Sequence, residues 1–216
     1  MDDDAPESAE EYFARIAAAT DAEGRLPVAI EGMTGWLVYP YELDSLRVKP
    51  LDPLADAEDD RAGEDPATCW CASATMPPWA TEWAWRNDDW VLTSAESTGA
   101  PVQLMLVPRR VHCDLTDVPD DLAADMGRLL VAVCAAAEAL PSVGRAFAFK
   151  IGDGGAHLHW FFFGRPARAL QLRGSPFLDW EENLPRVPVE VLRRNAGFVG
   201  RRLVEALGGE GPSWSS

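Results

Sequence analysis

The sequence predicts an α+β fold, in which an antiparallel sheet of about five strands packs against one long helix and carries helical additions at both ends. Short apolar stretches bounded by turn residues predict the strands. Longer stretches with apolar residues at helical spacing predict the helices. The chain has 216 residues, of which 47% are hydrophobic, so it is long enough to bury one core. We expect one domain at residues 67–208, preceded by an N-terminal region, residues 1–66, and followed by a flexible tail, residues 209–216.

The N-terminal region is predicted to contain one helix, two short strands and an acidic linker. Ser8 and Glu11 form a capping box that begins the helix, and Gly24 lies beyond its last apolar position. We interpret it as a docking or dimer helix. Acids and prolines predict a linker with little core of its own. The two strands and the linker are expected at residues 35–39, 46–48 and 50–66.

The central region is predicted to supply most of the sheet and the long helix. Residues 85–92 predict a hairpin whose turn contains Asn87. Acidic residues at 120 and 121 favour the start of a helix, which an apolar stripe continues as far as Pro141. Further strands are expected at residues 102–107 and 145–151. The tryptophans of this region predict core packing in preference to a stacking surface for bases: Trp79, Trp83, Trp85 and Trp90.

The C-terminal part is predicted to contain a long loop and a second helix. Residues 171–188 contain prolines and several acids and predict the loop. Apolar residues at helical spacing predict the helix at residues 190–207. Gly208 directly follows the last of them and is expected to end the helix.

Residues 152–166 combine a glycine-rich turn with a run of aromatic residues. The run is expected to form a buried strand. Alternation along that strand places His157, His159 and Phe161 on one face. Two imidazoles on one strand face, next to a flexible turn, predict a site for a ligand, a metal ion or a nucleophile.

This run resembles the histidine triad (HIT) motif, His-x-His-x-His, with Phe161 in place of the third histidine. Residues 85–92 are similar to the early hairpin of the family. Residues 102–110 resemble the family's strand that ends in Pro-Lys/Arg-Arg-His, although His112 lies one place later than usual. The resemblance extends from about Cys69 to Arg165 and leaves the N-terminal third uncovered.

The resemblance implies a HIT-like fold with a nucleotide cleft at the motif strand and pairing of two chains as a homodimer. By motif match, His159 is the nucleophile that forms a nucleotidyl-histidine intermediate, and His157 orients the site or binds zinc. Arg165 is expected to neutralise phosphate charge. Phe161 cannot donate the hydrogen bond that the third histidine gives to the phosphate or the leaving group. We also expect Lys150 and Asn87 to bind substrate, with a solvated lysine at a strand end as the alternative for Lys150.

Some HIT proteins and the related galactose-1-phosphate uridylyltransferases carry a Cys-x-x-Cys pair that binds zinc together with two histidines. The corresponding residues here are Cys69, Cys71, His112 and His157, a donor set that suits tetrahedral zinc. The Cys-x-Cys spacing is one residue shorter than usual. As the alternative, both cysteines are small core residues. A structural zinc ion is therefore the one cofactor that we expect, and no organic cofactor is predicted.

The charge balance limits the class of partner. A net charge of -16 and a pI near 4.5 argue against nucleic acid or an anionic membrane, since both need a basic protein surface. A single nucleotide stays possible, because a local pocket can be positive on an acidic protein. The N-terminus lacks the pattern of a signal peptide, so the sequence predicts a cytoplasmic protein whose cysteines are thiols or metal ligands.

Three functions are compatible with these residues. The first is a nucleotidyl hydrolase or transferase that acts through His159. The second is a nucleotide-binding or regulatory protein that has lost turnover. The third is a structural module in which His157 and His159 bind zinc or belong to the core. The base, the leaving group and the acceptor do not follow from the sequence.

Overall fold

The computed structural model describes residues 5–26, 57–72 and 82–214. Several sequence predictions lie outside these ranges. They are the two strands at residues 35–39 and 46–48, the linker segment at residues 50–56, and Trp79.

The core of the fold is a five-stranded antiparallel sheet, which confirms the predicted α+β class. The strands are β1 (Trp85–Arg86), β2 (Trp90–Ser94), β3 (Gln103–Pro108), β4 (Val143–Phe149) and β5 (Trp160–Pro166). Their order across the sheet is β1-β2-β3-β5-β4. The strand that follows the histidines is therefore central, paired with β3 on one side and with β4 on the other.

Four α-helices surround the sheet in the described part of the chain: α1 (Ala9–Ala17), α2 (Asp120–Glu138), α3 (Phe177–Glu181) and α4 (Val189–Leu207). The predicted capping box is present, because the Ser8 side chain accepts from the Glu11 N–H and the Glu11 carboxylate accepts from the Ser8 N–H. The prediction that residues 171–188 form one long loop is wrong. These residues contain α3, which forms because Phe177 is fully buried and gives this segment an apolar anchor.

The sheet carries a hydrophobic core on each face. The first core lies under α2 and α4 and contains Leu158, Phe162 and the two hairpin tryptophans, Trp85 and Trp90, as the sequence predicts. The second core lies on the opposite face, where Phe163 packs with residues of α1, α3 and α4. The alternation of β5 thus divides its aromatic residues between two cores.

Helix α1 docks on the second core. Its Tyr12 is 1% exposed, and the phenol donates a 2.7 Å hydrogen bond to the carbonyl oxygen of Gly99. The buried stripe of α1 therefore belongs to the core of the domain, in agreement with the prediction of a docking helix.

The C-terminus differs from the sequence prediction. Gly208 ends α4 with φ of 74°, as expected for glycine. The predicted flexible tail instead runs beside β1 over its described residues, 209–214. Arg86 and Glu210 exchange backbone hydrogen bonds and form an ion pair, and the Trp83 indole donates to the Gly211 carbonyl oxygen. The free edge of β1 explains this, since unpaired strand groups need partners.

Among the helices of the described ranges, none is both long enough and apolar enough to cross a bilayer.

Candidate metal centre and active site

The two histidines of the motif lie just before β5, which begins at Trp160. The prediction that they belong to the strand is therefore wrong. They are held instead by loop contacts, of which the hydrogen bond from the Leu158 N–H to the Cys113 carbonyl oxygen, 2.7 Å, is central. The predicted alternation still holds, because Leu158 is buried in the first core while Phe161 packs on the second.

Residues 57–72, which we call the strap, contact the glycine-rich turn in front of the histidines. The Ala62 N–H donates to the Gly154 carbonyl oxygen at 3.1 Å, and the Ala156 N–H donates to the Ala62 carbonyl oxygen at 3.0 Å. The strap includes the described part of the predicted linker. It closes over the turn because the glycines leave the backbone groups of the turn accessible for pairing.

A half-buried ion-pair cluster fixes the strap further. Asp114 accepts from the Lys150 ammonium at 2.9 Å and from the Arg61 guanidinium at 2.7 Å. Burial raises the pKa of Asp114, but the hydrogen bonds from Lys150 and Arg61 outweigh it and hold the pKa at about 2. Lys150, predicted to bind substrate, is therefore paired with a carboxylate of its own chain.

The strap, the segment after β3 and the loop that carries the motif histidines together form the predicted four-residue cluster. Ligand atoms of Cys69, Cys71, His112 and His157 all lie within 4.8 Å of one another. The Cys69 sulfur is 3.5 Å from His157 Nδ1, and the Cys71 sulfur is 3.4 Å from His112 Nδ1. With Zn–S bonds of about 2.3 Å and Zn–N bonds of about 2.0–2.1 Å, a tetrahedral zinc ion places sulfur and nitrogen about 3.6 Å apart. The donor set fits zinc in both type and spacing.

The short Cys-x-Cys spacing is accommodated by the backbone of the strap. Cys69 is extended, with φ of -68° and ψ of 146°, and a 3₁₀ turn, Trp70–Ala72, follows at once. The change of direction turns both sulfurs toward one point. The shorter Cys-x-Cys spacing is therefore compatible with the predicted zinc site.

His157 has the protonation state of a metal ligand. Its Nε2–H donates to the Pro108 carbonyl oxygen at 2.9 Å, which leaves the lone pair on Nδ1 facing Cys69. Burial lowers the pKa of His157, which favours the neutral ring. Burial, and then the adjacent Cys69, raise the pKa of Cys71 to about 11. A cation at the centre of the cluster would favour the thiolate.

His159 differs from His157 in its exposure and in its partner. It is half-buried, and its Nδ1–H donates to the His157 carbonyl oxygen at 2.8 Å. With Nδ1 as the donor, the acceptor lone pair of the imidazole lies on Nε2. A Cβ atom at Gly155 would lie 3.7 Å from the His159 ring, so the glycine-rich turn passes directly beside it. An imidazole fixed in this way can attack an electrophile through Nε2.

The remaining predicted site residues lie apart from His159 or are engaged elsewhere. Arg165 is buried, follows His159 by six residues, roughly 20 Å along a strand, and donates to the Pro166 carbonyl oxygen. Asn87 accepts from the Asp89 and Trp90 N–H groups and so forms the hairpin turn. Arg165 therefore lies away from the histidines, and the Asn87 side chain is engaged within the hairpin turn.

Sequence analysis missed three groups of this site. Asp114 and Arg61 pair across 53 positions, and the Pro108 carbonyl oxygen orients His157. Asp114 follows His112 by two places, which is the one local signal that it belongs to the site. A backbone carbonyl leaves no signal in residue types.

Comparison with known proteins finds similarity at the level of structure. No family model matches the chain, and no curated protein matches it. The chain is similar to a HIT-like protein involved in cell-cycle regulation from Bartonella henselae, with 16% identity and a TM-score of 0.43 over 56% of this chain and 85% of that one. It is also similar to a zinc-bound histidine triad family protein from Mycobacterium smegmatis, with 20% identity and a TM-score of 0.43 over 63% and 94% of the two chains.

A third similar structure is a uridylyltransferase mutant, with 17% identity and a TM-score of 0.39 over 56% of this chain and 43% of that one. At these sequence identities and TM-scores, the similarity carries no information about activity.

Proposed function

We propose that this chain is a HIT-like nucleotide-binding protein that hydrolyses or transfers a nucleotidyl group through His159. One observation carries the proposal. The His157 carbonyl oxygen holds the Nδ1–H of His159 at 2.8 Å, so the nucleophilic lone pair is directed away from that carbonyl, on Nε2 of a half-buried ring. A neutral imidazole is a competent nucleophile near neutral pH.

The reaction would proceed in two displacements. His159 Nε2 forms a bond to the α-phosphorus of the nucleotide, and the bond from phosphorus to the leaving group breaks with its electron pair. The positive charge that develops on the imidazole is stabilised by the His157 carbonyl oxygen, which accepts the Nδ1–H bond. Water or another acceptor then attacks phosphorus, and Nε2 recovers its electron pair. One hard step is thus divided into two easier ones.

A zinc ion at the four-residue cluster would have a structural role. Cys69 and Cys71 of the strap and His112 and His157 of the domain would hold it, and such ions contribute directly to folding free energy. The cluster uses His157 and not His159, so the proposed nucleophile stays free of the metal. Resemblance extends the proposal to a homodimer, which light scattering of the intact chain tests.

A second candidate is a nucleotide-binding protein without turnover. Phe161 favours it, because its ring has no N–H or O–H group with which to assist the departure of a leaving group. Loss of one such donor commonly costs about 10²- to 10³-fold in rate. That reduction lowers turnover and does not affect the attack by His159 itself.

The test is to incubate the protein with a panel of labelled nucleoside phosphates and to measure its intact mass. We expect a nucleotide adduct that His159→Ala abolishes, and added free imidazole to restore turnover in that variant. Nucleotide binding with neither adduct nor product would establish the silent binding protein. If the protein shows neither nucleotide binding nor an adduct, the structural module is the function that remains.

A further inference from the structure

Three side chains form an apolar row across the sheet, one position beyond His159 on the same face. Met105 of β3 is directly opposite Phe161 of β5, and Phe149 of β4 is opposite Phe161 on the other side. Residues opposite one another on antiparallel strands place their side chains on the same face. All three are half-buried, whereas Phe163, in the next row, is 8% exposed.

The apolar row is continuous with the nucleophile. The rings of His159 and Phe161 lie edge to face, with centroids 5.2 Å apart and planes at 79°. Phe149 continues the surface, with its ring 5.9 Å from that of Phe161. A group bound to the phosphorus that His159 attacks therefore has an aromatic surface beside it, suited to stacking.

The charges next to this row are already balanced. Lys150 directly follows Phe149 and pairs with Asp114. Arg61 pairs with Asp114 and with Glu64. Two cations thus face two carboxylates, which leaves no net positive charge in this cluster for a highly charged leaving group such as pyrophosphate. Met105, Phe161 and Phe149 have no N–H or O–H group in their side chains to donate a proton.

From this arrangement we infer that the apolar row binds an aromatic leaving group that departs as a stabilised oxyanion. The substrate class is a nucleoside monophosphate joined through oxygen to a phenol or to an aromatic carboxylic acid. Phe161 is then a residue that determines specificity. The inference rests on the proposed function of His159.

The bond changes balance without an acid. The N–P bond forms at His159 Nε2, the P–O bond to the aromatic group breaks, and that oxygen keeps the electron pair as aryloxide or carboxylate. Water then forms the new O–P bond and releases one proton to solvent, and the N–P bond breaks. Because no proton is transferred to the leaving oxygen, the rate depends on how stable its anion is.

The experiment compares the 4-nitrophenyl and phenyl esters of one nucleoside monophosphate, with turnover and adduct formation measured on both. For the unmodified protein we expect fast turnover of the 4-nitrophenyl ester and turnover of the phenyl ester that is lower by at least about 10²-fold, since general acid assistance is worth about 10²- to 10⁴-fold.

Variants at Phe161 separate the two properties of the row. Phe161→His adds a donor and is expected to raise turnover of the phenyl ester by about 10²-fold, with little change for the 4-nitrophenyl ester. Phe161→Leu adds none, so it should keep the ratio of the two rates and raise KM for both esters. Phe147→Leu, one row away, is the matched control and should change neither.

The outcomes distinguish this inference from the proposed function. An adduct on His159 with equal turnover of the two esters would overturn the inference and leave the proposed function intact. Absence of an adduct with either ester would overturn both. The comparison of the two esters on the unmodified protein tests the inference even if a Phe161 variant fails to fold.

Discussion

The sulfur of Cys69 lies 3.5 Å from Nδ1 of His157, although 88 positions separate the two residues. This contact joins the strap to the loop that carries the proposed nucleophile. It occurs where His157 is buried and oriented by the Pro108 carbonyl oxygen. The four-residue cluster and the position of His159 are therefore linked through two residues of backbone.

Zinc content should depend on the strap cysteines. Cys69→Ser removes a sulfur donor from the cluster, and we expect zinc affinity to fall by more than about 100-fold, which is the upper end of the effect of residues that only orient ligands. Metal analysis after dialysis measures the zinc content, and thermal unfolding measures the stability of each protein. Cys134→Ser, a half-buried thiol of α2 outside the cluster, is the control. Equal zinc content in all three proteins would refute the site.

Asp114→Asn should loosen the strap. The substitution removes the carboxylate that pairs with Lys150 and leaves Arg61 paired with Glu64 alone, which we expect to lower the free energy of unfolding. Trypsin cleavage after Arg61, the one basic residue of the strap, should become faster. Asp153→Asn, an exposed change in the glycine-rich turn that the strap contacts, should alter neither the free energy of unfolding nor the cleavage rate. An unchanged cleavage rate in Asp114→Asn would contradict the role of the ion pairs.

Much of this site follows from residue types, but its contacts do not. The resemblance selects Cys69, Cys71, His112 and His157 correctly as a group, because a zinc site needs particular donors. The short Cys-x-Cys spacing argues against a shared ion only when the backbone angles are unknown, since the turn after Cys69 repositions Cys71.

Distance along a strand explains the site residue that the structure places elsewhere. Arg165 shares a motif with His159, but an extended strand carries it to the far end of β5. The tail beside β1 was not foreseen either, because a polar sequence does not reveal which strand edge is free. Patterns of apolar residues predict strands and helices, whereas long-range polar pairing requires the assembled fold.

Two glycines on different helices should respond oppositely to alanine. A Cβ atom at Gly200 would collide with the carbonyl oxygen of Ala84, where α4 crosses the segment before β1. We expect Gly200→Ala to lower the free energy of unfolding by about 3 kcal/mol or more. Gly127 of α2 has open space around it, so Gly127→Ala should raise that free energy by about 0.5–1 kcal/mol. Urea unfolding measures both; a similar loss in each would refute the packing of α4.

Tyr12 should make the stability fall at alkaline pH. Burial raises the pKa of Tyr12 above its ordinary value of 10, so the folded chain retains the proton to a higher pH than the unfolded chain. The contribution is complete below about pH 10 and is lost as pH rises beyond it. Tyr12→Phe should remove this part of the pH dependence, and a constant difference between the two proteins from about pH 8 to about pH 11 would contradict it.

The position of β5 determines when the site can form. Of the described strands β5 is made last, yet it lies between β3 and β4. During synthesis the edges of both neighbours stay unpaired until residues 160–166 have emerged, because the chain leaves the ribosome from its N-terminus. The strap cysteines and Asp114 precede the two histidines in the chain and are therefore synthesised before them. A nascent chain that stalls before Trp160 therefore leaves one edge of β3 and both edges of β4 unpaired, and unpaired strand edges promote aggregation.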